Sequence, residues 1–115
     1  MKNKKNLVIQ ITGDSYGNES DDLGKTLMKA YIYALTEIKP YPETIFFINR
    51  GAHLTAAGSP VLESLNILET AGVEILTCGT CINFFGLSET PEVGFVTNMY
   101  TIVEKLNNAN NTIII

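Results

Sequence analysis

Apolar positions along the chain switch between two rhythms. Leu7–Thr12 is a short, nearly continuous apolar run ending at Gly13, the pattern of a strand buried on both faces. Gly13–Glu19 is polar and reads as a loop. From Ser20 the spacing lengthens, and Leu23, Leu27, Tyr31, Leu35 and Ile38 recur at helical intervals, predicting one apolar stripe. Ser20 suits the N-cap, Asp21 and Asp22 favour the positive end of the helix dipole, and Pro40 and Pro42 stop the helix. Thr44–Asn49, rich in Ile and Phe, predicts a second strand.

The alternation repeats downstream. A loop over Arg50–Gly58 holds the single histidine, His53. Ser59 and Pro60 predict the N-cap and first residue of a second helix, Leu62, Leu65 and Leu68 lie along it, and Gly72 fits its C-terminal cap. Val73–Thr77 predicts a third strand, and a short helix from near Cys78 towards Phe85 ends at Gly86. Val93–Val96 predicts a fourth strand, Thr97 the cap of a helix carrying Tyr100, Val103 and Leu106, and Thr112–Ile115 a last strand. Strands alternating with helices predict an α/β fold: a three-layer α/β/α domain over residues 1–115 with a mainly parallel sheet of about five strands. No repeat, linker or low-complexity segment divides it. The alternation carries no information on strand order.

Composition narrows the function classes. Hydrophobic residues make up 45 % of the chain, enough to bury a core. Eight Lys and Arg against 12 Asp and Glu leave a formal charge of −4, which argues against a nucleic-acid surface. The run Lys2, Lys4, Lys5 reads as a solvated tail, and the apolar stretch after it is broken by Gln10 and too short for a signal peptide. No stretch approaches membrane-spanning length. Two cysteines spaced C-x-x-C make no disulfide framework, so a reducing cytoplasm is the expected compartment.

Ligands of open α/β sheets gather outside the carboxyl ends of the strands. Three predicted loops meet there, contributing Gly13, Asp14 and Ser15, then Asn49, Arg50 and His53, then Cys78, Gly79, Thr80 and Cys81. Cys78 stands where a strand turns into a helix, and unpaired N–H groups there favour a thiolate, so its pKa is expected to fall. Cys81 lies one turn on, facing the same side, within reach of Cys78 and with narrower access. Gly79 and Thr80 keep the turn small and open. Against this stands the plain reading of two buried cysteines used as small apolar residues. Asp14, Ser15 and Asn49 equally suit loop and cap hydrogen bonds, and Arg50 and His53 suit a solvated loop.

Metal is not expected within one chain. The C-x-x-C supplies two zinc ligands and His53 at most a third, where a structural site takes four; a site shared across a subunit interface stays open. Gly24-Lys25-Thr26 imitates the end of a phosphate-binding loop, but six residues separate it from Gly17 where that loop needs four, and Glu19, Asp21 and Asp22 repel phosphate. Lys25 reads as an exposed lysine at a helix start.

Several separated motifs in order carry a family resemblance. They are Asp21-Asp22-Leu23-Gly24-Lys25 with Leu27-Met28-Lys29, Gly58-Ser59-Pro60-Val61-Leu62, Gly72-Val73-Glu74-Ile75-Leu76 with Cys78-Gly79-Thr80-Cys81, and Val96-Thr97-Asn98-Met99-Tyr100. From Gly13 to the C-terminus the chain resembles the DsrE-like family, specifically the C-terminal domain of YedF-type proteins, a group named for a link to selenium metabolism. The resemblance implies a persulfide carried on a cysteine at the end of this strand, followed eight residues later by a glycine, and Cys78 and Gly86 match. Cys81 is an extra thiol relative to simple carriers and implies a resolving role. YedF-type chains often begin with a TusA-like domain bearing its own cysteine, which this sequence lacks. The sulfur donor or acceptor is then a separate protein, and no cofactor is implied.

Three functions follow. The first is a sulfur or selenium carrier that loads Cys78. The second is a dithiol redox protein in which Cys81 resolves a mixed disulfide on Cys78. Against it, a thioredoxin sets its motif after an early strand opposite a cis-proline, whereas here the motif follows the third strand and Pro91 comes ten residues after Cys81. The third is a non-enzymatic binding module with structural cysteines. A homo-oligomer is expected, both because DsrE-like proteins are usually oligomeric and because Phe46, Phe47, Phe84, Phe85 and Phe95 offer aromatic surface.

Overall fold

Branched and aromatic residues dominate the runs LVIQI, TIFF and EILTC, and each is a parallel strand in the computed structural model, which describes residues 6–115. Lys2, Lys4 and Lys5 lie outside the described residues. The strands are β1 (Leu7–Ile11), β2 (Thr44–Phe47), β3 (Glu74–Cys78), β4 (Phe95–Thr97) and β5 (Asn111–Ile114). They form one sheet in the order β4-β3-β2-β1-β5, with every pairing parallel. The helices are α1 (Asp21–Glu37), α2 (Leu62–Thr70), α3 (Gly79–Phe84) and α4 (Met99–Asn108), and a 3₁₀ helix spans Asn49–Thr55.

Two apolar clusters show how the layers stack. On one face Ile9, Ile11, Ile45, Phe47 and Ile75 meet Met28 and Ile32 of α1 and Leu65 and Leu68 of α2. On the other, Val8, Phe46 and Leu76 meet Ile102 of α4. The central strand β2 is buried at all four positions, because both its faces are covered. The sheet grows from β1 through β4 in one direction, and α4 then carries the chain back across the opposite face to set β5 beside β1. The predicted α/β fold is therefore the one observed, with about five strands and helices on both faces.

Several local expectations need correction. The buried face of α1 is Gly24, Met28, Ile32 and Thr36, while Leu23, Leu27 and Ile38 are exposed. The apolar arc of this helix is wider than one stripe, and the sheet takes the adjoining part of it. Gly24 lies on the buried face under the β1–α1 loop, where a Cβ would meet the Ser15 side chain and crowd Tyr16 N. Tyr16 N–H donates to the Gly24 carbonyl at 2.9 Å across that contact. Ser59 does not cap α2, which begins at Leu62; its hydroxyl accepts from Val61 N–H at 3.2 Å within the preceding turn. Asn98 replaces Thr97 as the cap of α4 and accepts from Thr101 N–H at 3.0 Å. β4 starts two residues later than predicted, Val93 being buried in the core ahead of it. The loop over Arg50–Gly58 is mostly 3₁₀ helix. Of the five phenylalanines read as surface, Phe46 and Phe47 are fully buried, while Phe84 and Phe95 are exposed.

Candidate functional site

Three elements converge at the carboxyl ends of β1, β2 and β3. The chain leaves β2 through Asn49, whose φ of 53° lies in the left-handed region, where Asn is among the few tolerated side chains. That turn aims Asn49 N–H at Cys81 Sγ, 3.1 Å away. Gly51 follows, buried against the end of β1, where a Cβ would press into the Ile11 carbonyl. The 3₁₀ helix is thereby held against β1, and a buried hydroxyl pair, Thr55 and Thr77 at 2.8 Å, ties its far end to β3. Thr77 is the residue before Cys78, so the same bond steadies the strand end that carries the thiol.

Cys78 is the last residue of β3, paired in register with Thr97, and also the N-cap of α3. Its thiol is buried, while that of Cys81 is partly exposed, and both are unbridged. Access therefore runs opposite to the expectation: Cys81, not Cys78, stands nearer solvent. The physical reason is that Cys78 ends an inner strand, flanked by β2 and β4, whereas Cys81 lies beyond the sheet on α3. Burial pushes the Cys81 thiol above its ordinary pKa, the Cys78 thiol adds to that rise, and the Asn49 N–H opposes it. Gly79 packs against Val96 and Thr80 is exposed, so the turn between the thiols is small and open on one side.

The remaining expected residues form a second group. Asp14 lies between two cations, Lys25 Nζ at 3.8 Å and Arg50 Nε at 3.7 Å. Arg50 also sits over the Phe85 ring at 5.5 Å, and His53 packs on the same ring at 4.6 Å. The structure thus brings Cys78, Cys81 and Asn49 together, and Asp14, Arg50 and His53 beside them, with Phe85 between. Gly13 and Ser15 shape the loop without reaching the thiols. Sequence reasoning read Lys25 only as an exposed lysine at a helix start and Phe85 only as aromatic surface, and it passed over the Thr55–Thr77 pair. Among the described residues no group of three His, Cys, Asp or Glu side chains converges as a metal site, and no helix is long and apolar enough to cross a membrane.

A sequence model of the DsrE/DsrF-like family matches residues 5–114. The chain belongs to the DsrE/DsrF-like family. Two solved structures share the fold of this DsrE/DsrF-like chain. The ychN protein from E. coli superposes with a TM-score of 0.74 at 19 % identity, over 97 % of this chain and 100 % of that one. A conserved protein of unknown function, BT1422 from Bacteroides thetaiotaomicron, superposes with a TM-score of 0.65 at 16 % identity, over 96 % of this chain and 95 % of that one. No curated protein matches by sequence.

Proposed function

We propose that this DsrE/DsrF-like chain is a sulfur or selenium carrier that holds a persulfide on Cys78, with Cys81 as the resolving thiol. The observation that carries this reading is the thiol pair at the β3–α3 junction, with a backbone N–H aimed at one sulfur. Loading is a transfer of one sulfane atom. The Cys78 thiolate attacks the outer sulfur of a donor persulfide, a new S–S bond forms on Cys78, the donor S–S bond breaks, and the donor leaves as a thiolate with the electron pair. A partner thiolate then takes the outer sulfur by the same exchange. Alternatively Cys81 attacks the inner sulfur, which expels hydrosulfide and leaves a Cys78–Cys81 disulfide that an external dithiol reduces.

The motif resemblance to YedF-type proteins favours a separate TusA-like partner as donor or acceptor. The same resemblance, with Phe84, Phe95 and Tyr100 standing out from the surface, supports a homo-oligomer; a monomeric mass in sedimentation at micromolar concentration would count against it. Nucleic acid and membrane partners find no support in a chain of formal charge −4.

The proximity of the two thiols also favours a second reading, a dithiol redox protein. Mass spectrometry after incubation with a persulfide donor separates the two. A gain of about 32 Da on the Cys78 peptide, lost in Cys78→Ser and longer-lived in Cys81→Ser, supports the carrier. A Cys78–Cys81 disulfide in the wild type, with no adduct retained on Cys78 in Cys81→Ser, supports the redox protein. Loading on Cys81 alone overturns the assignment of Cys78.

A further inference from the structure

A cavity of about 250 Å³ opens between α1 and the segment 56–61, next to the thiols but lined by neither. One side carries Lys25 and Lys29, four residues apart on α1 and both solvent-exposed. Like charges at this spacing repel. Asp14 answers only Lys25, at 3.8 Å, and is shared with Arg50 at 3.7 Å. Lys29 makes no ion pair among the described residues. Of the charged side chains that line the cavity, Lys25 and Lys29 outnumber Asp14, in a chain of formal charge −4. The floor is apolar, formed by Met28, Leu54 and Val61.

A second, independent observation comes from the opposite wall. His53 lines the cavity, and its Nε2 is buried with no protein hydrogen-bond partner. The buried ring nitrogen has no partner to lose, so a shift of the ring that brought it to a ligand atom in the cavity would gain a hydrogen bond. Drug-sized ligands occupy roughly 300–1,000 Å³, so this cavity suits something smaller. We propose that it binds a small organic anion, with an oxyanion head between Lys25, Lys29 and His53 and a short apolar body over Met28, Leu54 and Val61. Carboxylate and phosphate heads share this chemistry.

His53 is the only histidine, so its ring C–H resonances report on this wall alone. The probes are butyrate, butyl phosphate and butanol, titrated to about 20 mM, since affinity in the millimolar range corresponds to about −4 kcal/mol. Saturable shifts of the His53 signals with either anion, and not with butanol, support the site, and the stronger anion identifies the head group. The double variant Lys25→Gln, Lys29→Gln should weaken that binding about tenfold while its thermal unfolding stays as in the wild type. No saturable shift with either anion overturns the proposal. So does equal binding of butanol, or undiminished binding by the folded double variant. None of these outcomes bears on persulfide loading, because no thiol lines the cavity.

Discussion

The thiol corner and the charged cleft lie side by side at the carboxyl edge of one sheet, yet they are built differently. The thiol corner is made of backbone: a strand end, a helix start, and a left-handed Asn49 that turns one N–H onto Cys81 Sγ. Its two sulfurs come from one short stretch of sequence. The cleft is made of side chains from four separate segments, with Asp14 after β1, Lys25 and Lys29 on α1, His53 on the 3₁₀ helix and Val61 ahead of α2. Its ion pairs are long and its cations half exposed. Backbone-built sites resist side-chain changes and fail when the chain path changes; side-chain sites behave the other way round.

Gly51 tests that contrast hardest, because it holds the 3₁₀ helix that serves both regions. Gly51→Ala pushes a Cβ into the Ile11 carbonyl and should destabilise the fold by about 2 kcal/mol or more, an overpacking cost. Chemical denaturation measures it, and a loss under about 0.5 kcal/mol would mean that the close approach relaxes without cost.

The next effect is on rate. A raised Cys81 pKa means that the folded chain favours the protonated thiol. Its thiolate fraction, and hence its alkylation by iodoacetamide, should rise about tenfold per pH unit and level off only above the ordinary thiol range. The same shift stabilises the fold below the ordinary thiol pKa, and that contribution is lost as pH rises through the raised value. Tyr31, pushed up by burial and by the neighbouring Tyr16, acts in the same direction at higher pH. Peptide mapping of Cys81 alkylation against pH is the measurement, and a plateau within the ordinary thiol range would contradict it.

Asn49 distinguishes backbone from side chain at one position. Asn49→Gly keeps the left-handed turn and should leave stability nearly unchanged. Asn49→Val should cost about 1–2 kcal/mol, because a β-branched residue resists that conformation. Comparing the two melting temperatures is sufficient; equal losses would assign the effect to the Asn side chain.

The smallest effect is expected at the charged cleft. Asp14→Asn removes ion pairs of 3.7 and 3.8 Å to cations whose side chains are 61 % and 53 % exposed, and should cost less than about 1 kcal/mol. Anion affinity in the cleft should rise in the same variant, since one repelling carboxylate is gone. A large loss of stability would show Asp14 to be a structural anchor instead.

These differences explain what was legible in the chain alone. The strand–helix alternation, the parallel sheet and the strand-to-helix placement of Cys78 follow from local periodicity and end signals, and the structure agrees. Gly72 is a further case: the C-terminus of α2 closes with Val73 N–H on the Leu68 carbonyl and Gly72 N–H on that of Glu69, both at 3.0 Å, the bonding pattern such a glycine announces. The buried face of α1 was not legible. Its apolar arc is wider than the face that is buried, and contacts such as that of Gly24 with the β1–α1 loop at Ser15 have no local signature.

Strand order, thiol access and the cleft belong to the same class. β1 sits between β2 and β5 because the final crossover runs back over the opposite face, a choice that spans the length of the domain. Cys78 is buried while Cys81 is partly exposed because β3 is an inner strand, and only the assembled sheet makes it so. Residues three apart in sequence can be judged by helical geometry, and that suffices for the C-x-x-C. Asp14 and Arg50 are brought to 3.7 Å only by the packing of the 3₁₀ helix against the end of β1. Hydrogen-bond periodicity acts over a few residues and leaves its mark in the local pattern, whereas contacts between distant segments depend on how whole elements pack.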